Sequence, residues 1–131
     1  MKELVVKNDL VSAKRPEELI LAEVEECGYC ESAAFAIKLA LEEAMTNAVR
    51  HGNGNDPNKR IFVRYHVTAD RTEIEIRDEG NGFQVETVPD PTEPENIDRP
   101  NGRGIMLMRA YLDEVDYQPP GNRVRLVKLN R

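Results

Sequence analysis

Apolar residues recur along this chain at two periods, and the alternation between those periods predicts its elements. Leu4-Val5-Val6, within the first ten residues, predicts a strand. Pro16 follows Ser12-Ala13-Lys14-Arg15 and suits the first turn of a helix. Leu19, Ile20, Val24 and Cys27 then return at helical spacing, and Gly28 ends the segment. The strongest helical pattern runs from Glu31 to about His51, where Ile37, Leu41, Ala44, Met45 and Ala48 recur every three or four residues before Gly52 supplies a stop. Gly52-Asn53-Gly54-Asn55-Asp56-Pro57 is rich in turn formers.

Beyond that loop the period shortens to two. Residues 61–67 and 72–77 predict two strands, the second alternating apolar and charged residues as a sheet with one solvated face requires. Thr68-Ala69-Asp70-Arg71 is the expected hairpin turn between them. From Gln84 to Pro100 four prolines mix with Asp and Glu, and a loop of that length is expected to be either functional or disordered. Asn101 to Tyr111 predicts a helix opened by Gly102 and Gly104; residues 115–117 and 124–129 predict two closing strands joined at Pro119-Pro120-Gly121-Asn122. No internal repeat or interdomain linker stands out. The order predicts one α/β (α+β) domain over residues 1–131: a two-layer sandwich whose mostly antiparallel mixed sheet is covered on one face by helices.

Composition narrows the function classes. A formal net charge of -6 argues against a nucleic-acid partner, which would call for a basic face. No apolar run approaches the roughly 20 residues needed to cross a bilayer, and the charged N-terminus lacks a signal-peptide pattern, so the cytoplasm is the expected compartment. Cys27 and Cys30 are spaced as in redox motifs. They follow a predicted helix rather than a strand, and two thiols do not complete a zinc site. A plain interhelical turn is the expected reading, with a redox regulator kept as an alternative.

Three clusters could carry chemistry. Glu43 and Asn47 lie roughly 40° apart around the long helix, on the flank of its apolar stripe, while Glu42 points elsewhere. A carboxylate there could take a proton, and an amide oxygen is a hard ligand suited to Mg²⁺. Each of those residues is equally at home on a solvated helix face. Asp78-Glu79-Gly80-Asn81-Gly82-Phe83 follows a strand; it could be a hairpin turn, or an acid that accepts a hydrogen bond from an exocyclic amine beside glycines that allow close approach. Asn101-Gly102-Arg103-Gly104-Ile105 opens a helix, where free N–H groups and a guanidinium suit an anion, or simply make a flexible start. The P-loop motif is missing.

Taken in order, the three clusters resemble the boxes of the Bergerat-fold ATPases, the superfamily of gyrase B and histidine kinases. Residues 43–51 are similar to the Asn-containing helix box, residues 78–83 to the first glycine box and residues 101–108 to the second. The short lid and the Gly-Arg-Gly-Ile-x-Leu-Met wording are most similar to the anti-sigma-factor serine kinases, and the resemblance runs from about residue 10 to the C-terminus.

The resemblance implies a Bergerat ATP-binding fold and a protein serine/threonine kinase. Glu43 would be the general base, Asn47 would ligate Mg²⁺, and Asp78 would recognise the adenine amino group. Gly80 and Gly82 would shape the base pocket, residues 84–100 would form a lid, and Gly102, Arg103 and Gly104 would make the phosphate end. The implied partners are a small antagonist protein, phosphorylated on Ser or Thr, and a sigma factor held inactive; a homodimer through an exposed sheet edge is also implied. A module that binds ATP or ADP and switches partners without phosphoryl transfer is the alternative. Gly121-Asn122 departs from the family's usual Gly-Thr. His51 is expected to act as a helix C-terminal residue, favourable when protonated, and not as a phosphoacceptor.

Overall fold

In a computed structural model that describes residues 1–80, 100–118 and 122–131, with the backbone alone for residues 100–103, each predicted element forms. Strand β1 spans Lys2–Lys7, helix α1 Lys14–Glu26 and helix α2 Glu31–Asn47. Strands β2 (Arg60–Val67) and β3 (Arg71–Arg77) follow, then helix α3 (Pro100–Tyr111) and strands β4 (Glu114–Gln118) and β5 (Arg123–Leu129).

Local chemistry explains the helix ends. The Asp9 carboxylate accepts the Ser12 N–H at 2.6 Å and the Ser12 hydroxyl at 3.1 Å, turning the chain into α1. At the other end Gly28 takes φ +74°, a left-handed conformation in which a side chain would be strained. There the Tyr29 N–H reaches the Val24 carbonyl at 3.3 Å and the Gly28 N–H the Glu25 carbonyl at 3.0 Å, the paired bonds of a Schellman stop. Helix α2 buries Ala33, Ala36, Ile37, Ala40, Leu41, Ala44 and Met45 along one stripe, and the run of alanines lets it lie close to the sheet. The helical pattern was expected to continue to His51. Instead α-geometry stops at Asn47, and Ala48–Gly52 widen into a π turn in which the Asn53 N–H bonds the Ala48 carbonyl at 2.8 Å.

The five strands make one sheet in the order β1-β2-β3-β5-β4, with every neighbouring pair antiparallel. The inner face carries Val6, Ile61, Val63, Tyr65, Ile74, Ile76, Val124 and Leu126, which form one core with Ile20 and Val24 of α1, the α2 stripe, and Ile105 and Met108 of α3. The helices therefore cover a single face, as the alternation of charged and apolar residues implied. The outer face is a lattice of ion pairs. Arg64 bridges Glu3 at 2.9 Å and Glu75 at 3.6 Å; Glu75 also meets Arg123 at 3.2 Å, and Glu73 meets Arg125 at 3.0 Å. Shared between several arginines, Glu73 and Glu75 gain more than isolated surface pairs would.

Leu41 of α2 is fully buried in the core. Leu41→Ala is expected to cost about 2–5 kcal/mol of folding stability, read as a lowered midpoint in chemical denaturation with an unchanged slope.

Candidate functional site

The C-terminal half of α2 carries Glu43, half-buried, and Asn47, 7% exposed, while Glu42 is exposed to solvent as its position around the helix predicts. The first turns of α3 pass directly beside them. A β-carbon on Gly104 would lie 2.8 Å from Glu43 Oε2 and 3.4 Å from Asn47 Nδ2. Glycine at 104 thus lets the N-terminal end of α3 come up against an acid and an amide at once; a β-carbon there would make the Glu43 carboxylate shift while meeting Asn47 at ordinary contact distance.

The second half of the site is built from β3 and the turns around it. Asp78 follows the last residue of β3 and is 7% exposed. Its backbone is held by Asn122, whose carbonyl accepts the Asp78 N–H at 2.9 Å and whose side-chain amide donates to the Asp78 carbonyl at 3.3 Å. Asn122 therefore keeps a donor at the point where the chain departs from the usual Gly-Thr. The Gly80 N–H donates to Asp78 Oδ1 at 2.8 Å. Burial pushes the Asp78 carboxyl above its ordinary range, opposed by that N–H and by the charges of Lys59 and Arg77.

Two glycines make room for this carboxylate. A β-carbon on Gly52 would overlap the Asp78 carboxylate, and one on Gly80 would overlap the Gly52 carbonyl. The π turn after α2 and the turn after β3 are therefore in contact through positions that tolerate no side chain. Asn47, Asp78 and Tyr117 also share one small cavity with the apolar Ala44, Ala48, Ile76 and Val124. Burial pushes the Tyr117 phenol up to about 12, against a smaller downward pull from the Asn47 amide. The Asn47 amide nitrogen itself is buried without an acceptor in good hydrogen-bond geometry among the described residues.

Glu43, Asn47, Asp78, Gly80 and Gly104, scattered over three predicted elements, are thus brought to one region between α2, α3 and the end of β3. Gly102 lies in the first turn of α3, as does Arg103, whose side chain is outside the description; Gly82 and residues 84–99 of the expected lid lie outside the described residues. Sequence reasoning missed Gly52, taken only as a helix stop, together with Asn53 and Tyr117. The one signal for the first two was the Gly-Asn-Gly-Asn run itself. His51 departs from expectation: partial desolvation and the neighbouring Arg50 lower its pKa from 6.5, so the protonated form is disfavoured there. Cys27 and Cys30 are both free thiols, one at the end of α1 and one at the start of α2. No described helix is long and apolar enough to cross a membrane.

Residues 12–128 match the histidine kinase-like ATPase domain family. The chain is 28% identical over 113 residues to the serine-protein kinase RsbW of Listeria innocua, an alignment covering 77% of this chain and 72% of that one. It is 35% identical over 99 residues to the serine-protein kinase RsbW of Staphylococcus aureus, covering 70% and 62%. To an anti-sigma F factor of Geobacillus it is 34% identical over 99 residues, covering 72% and 66%. In the latter two cases, then, the chain spans less than two thirds of its relative's length. A solved structure of the RsbU and RsbW domains of a Mycobacterium tuberculosis protein superposes with a TM-score of 0.64 at 16% identity, covering 100% of this chain and 32% of that one, a likeness of fold.

The raised Asp78 carboxyl carries a stability consequence. The folded protein binds a proton there more readily than the unfolded chain does, so stability falls as pH rises through the interval between the two pKa values. At neutral pH the ionised carboxylate works against folding. Asp78→Asn, which keeps an oxygen for the Gly80 N–H, is expected to raise the melting temperature at pH 7, with the gain shrinking as pH is lowered toward the ordinary carboxyl value of 3.8. A gain that is absent, or constant with pH, would contradict this account.

Proposed function

Because the chain belongs to the histidine kinase-like ATPase family, we propose that it is an ATP-dependent protein serine/threonine kinase acting on a small antagonist protein, and that it also holds a sigma factor inactive. The relatives named as RsbW kinases and as an anti-sigma F factor support this reading. The observation that carries it is the placement of Glu43 and Asn47 directly against Gly104 at the start of α3, with Asp78 sunk in the neighbouring wall.

The residues present fit a nucleotide with its metal. The Asn47 amide is buried beside the Tyr117 phenol, with no acceptor for its nitrogen in good geometry among the described residues; a ligand could complete it, and the amide can present its oxygen or its nitrogen without change of shape. Its oxygen would hold Mg²⁺. Among the described residues no group of three or more His, Cys, Asp or Glu could hold a metal without further ligands, so the ion would depend on phosphate oxygens as well. Asp78 would accept a hydrogen bond from the adenine amine, with Gly80 and Gly82 leaving room for the ring. The backbone N–H groups at the start of α3, from Gly102 to Gly104, and the Arg103 guanidinium would face the phosphates, with residues 84–100 as the lid.

Bound ATP supplies the phosphoryl group. The chain's own part is to position and to take a proton. Glu43 orients the acceptor hydroxyl and accepts its proton, so that the oxygen becomes a competent nucleophile. Asn47, one helical turn further on, would hold the metal. The Tyr117 phenol remains protonated at neutral pH and helps exclude water from the wall between Asn47 and Asp78. A sigma-factor partner would put this activity in the cytoplasm, and β1 and β4, the outermost strands among the described residues, would suit a second copy.

The competing reading is a partner-switch module that binds ATP or ADP without transferring phosphate. One experiment separates them. With Mg-ATP and the antagonist as acceptor, Glu43→Gln is expected to lower the transfer rate by about 10²–10⁴-fold while ATP affinity, measured by calorimetry, stays within about twofold. Undiminished transfer would remove Glu43 as the base; no transfer by the unaltered chain would favour the module. Chelating Mg²⁺ should weaken ATP binding to the unaltered chain, and Asn47→Ala should erase most of that metal dependence.

A further inference from the structure

Asn53 is 2% exposed, in a segment whose other residues are exposed or half-buried. A buried primary amide must satisfy two donors and an acceptor, and this one does so across three separate parts of the chain. Its oxygen accepts the Glu79 N–H at 2.7 Å. Its nitrogen donates to the Arg60 carbonyl at 3.0 Å and to Asn8 Oδ1 at 3.1 Å. Asn8, itself buried, passes the connection on by donating to the Asp56 carbonyl at 2.9 Å.

The position of these bonds matters more than their number. Glu79 lies between Asp78 and Gly80, and Asn53 directly follows Gly52. The Asn53–Glu79 bond therefore spans the seam at which Gly52 and Gly80 touch, where a single carbon atom would be too much. That bond ties the turn carrying Asp78 to the turn carrying Gly52, whereas the two Asn122 bonds hold the Asp78 backbone from the β5 side. Glu79 adds a second fastening on the far side, its carboxylate accepting the Arg60 N–H at 2.6 Å.

Resting on the nucleotide reading above, we propose that Asn53 is a positioning residue that locks the turn after β3 onto the turn after α2, and so sets how selectively Asp78 recognises a base bearing an exocyclic amine. Asn53 does not itself touch the base; it acts through Glu79 and Gly52. A residue with a merely structural role would change stability and weaken every nucleotide alike. A positioning residue changes the preference between nucleotides.

The test compares ATP with inosine triphosphate, which replaces the amine by a carbonyl, as the ratio of the two dissociation constants measured with Mg²⁺ on the full chain. Asn53→Ala is expected to weaken ATP about tenfold, the order of one lost buried hydrogen bond, while inosine triphosphate changes little, so that the ratio collapses toward one. Equal weakening of both nucleotides, or an unchanged ratio, overturns the proposal. Should Asn53→Ala fail to fold, Asn8→Ala removes only one bond to the same amide. Its ratio is expected to fall about twofold, and a ratio equal to that of the unaltered chain overturns the proposal as well. An unaltered chain that binds ATP without preferring it refutes instead the assignment of Asp78, which keeps the two failures apart.

Discussion

The contact of Gly52 with Asp78 is the constraint around which the rest of this domain is arranged. Two chain reversals, one after a helix and one after a strand, meet at a distance that excludes a β-carbon from either Gly52 or Gly80. To reach that distance α2 gives up its last α-turn and widens into a π turn, and the chain is then fastened by the Asn53 amide. The cost falls on Asp78, whose carboxylate is held in a poorly solvated place at the expense of folding. Such a cost is retained where the buried charge serves a ligand.

A second glycine contact, at Gly104, does the same work for the other half of the site. Here the crowding is between helices. The start of α3 meets the flank of α2 where Glu43 and Asn47 project, and further along the same pair of helices Phe35 and Tyr111 stack edge to face with centroids 5.9 Å apart. Both halves of the candidate site are thus built by leaving a side chain off one partner so that polar groups on the other stay in reach. The supporting sheet contributes rigidity: its inner face is continuous core, and its outer face is tied by arginines shared between glutamates.

Much of this was legible in the sequence, for physical reasons that can be named. Periodicity located the three helices and five strands because each element buries one face, and the position of Glu43 and Asn47 beside the α2 stripe follows from helix geometry alone. Gly28 as a stop and Asp9 near a helix start are local events written in adjacent residues. What was not legible is non-local. Nothing in residues 123–129 announces that they insert between β3 and β4 rather than at an edge. Gly52 looked like any helix stop, because its reason for being glycine lies 26 positions away at Asp78. Asn53 looked like a turn residue for the same reason, its partners being Asn8, Arg60 and Glu79. At His51, partial desolvation and the adjacent Arg50 pull the imidazole's pKa down, against the helix-terminus effect expected from the sequence.

The pairing of β3 with β5 has a further consequence. Arg77 and Arg123 stand opposite each other in neighbouring strands, so the chain between them, α3 and β4 included, is one excursion whose ends meet. Closing such an excursion costs an entropy that grows only with the logarithm of its length, about 0.6 kcal/mol for each doubling. The sheet is therefore nearly indifferent to how long that excursion is. Insertions and deletions between residue 81 and α3 can accumulate in descendants of this chain at little expense to folding, whereas a single methyl group added at Gly52 cannot. Natural variation should consequently pool between residue 81 and α3, and leave the Gly52–Asp78 contact almost invariant.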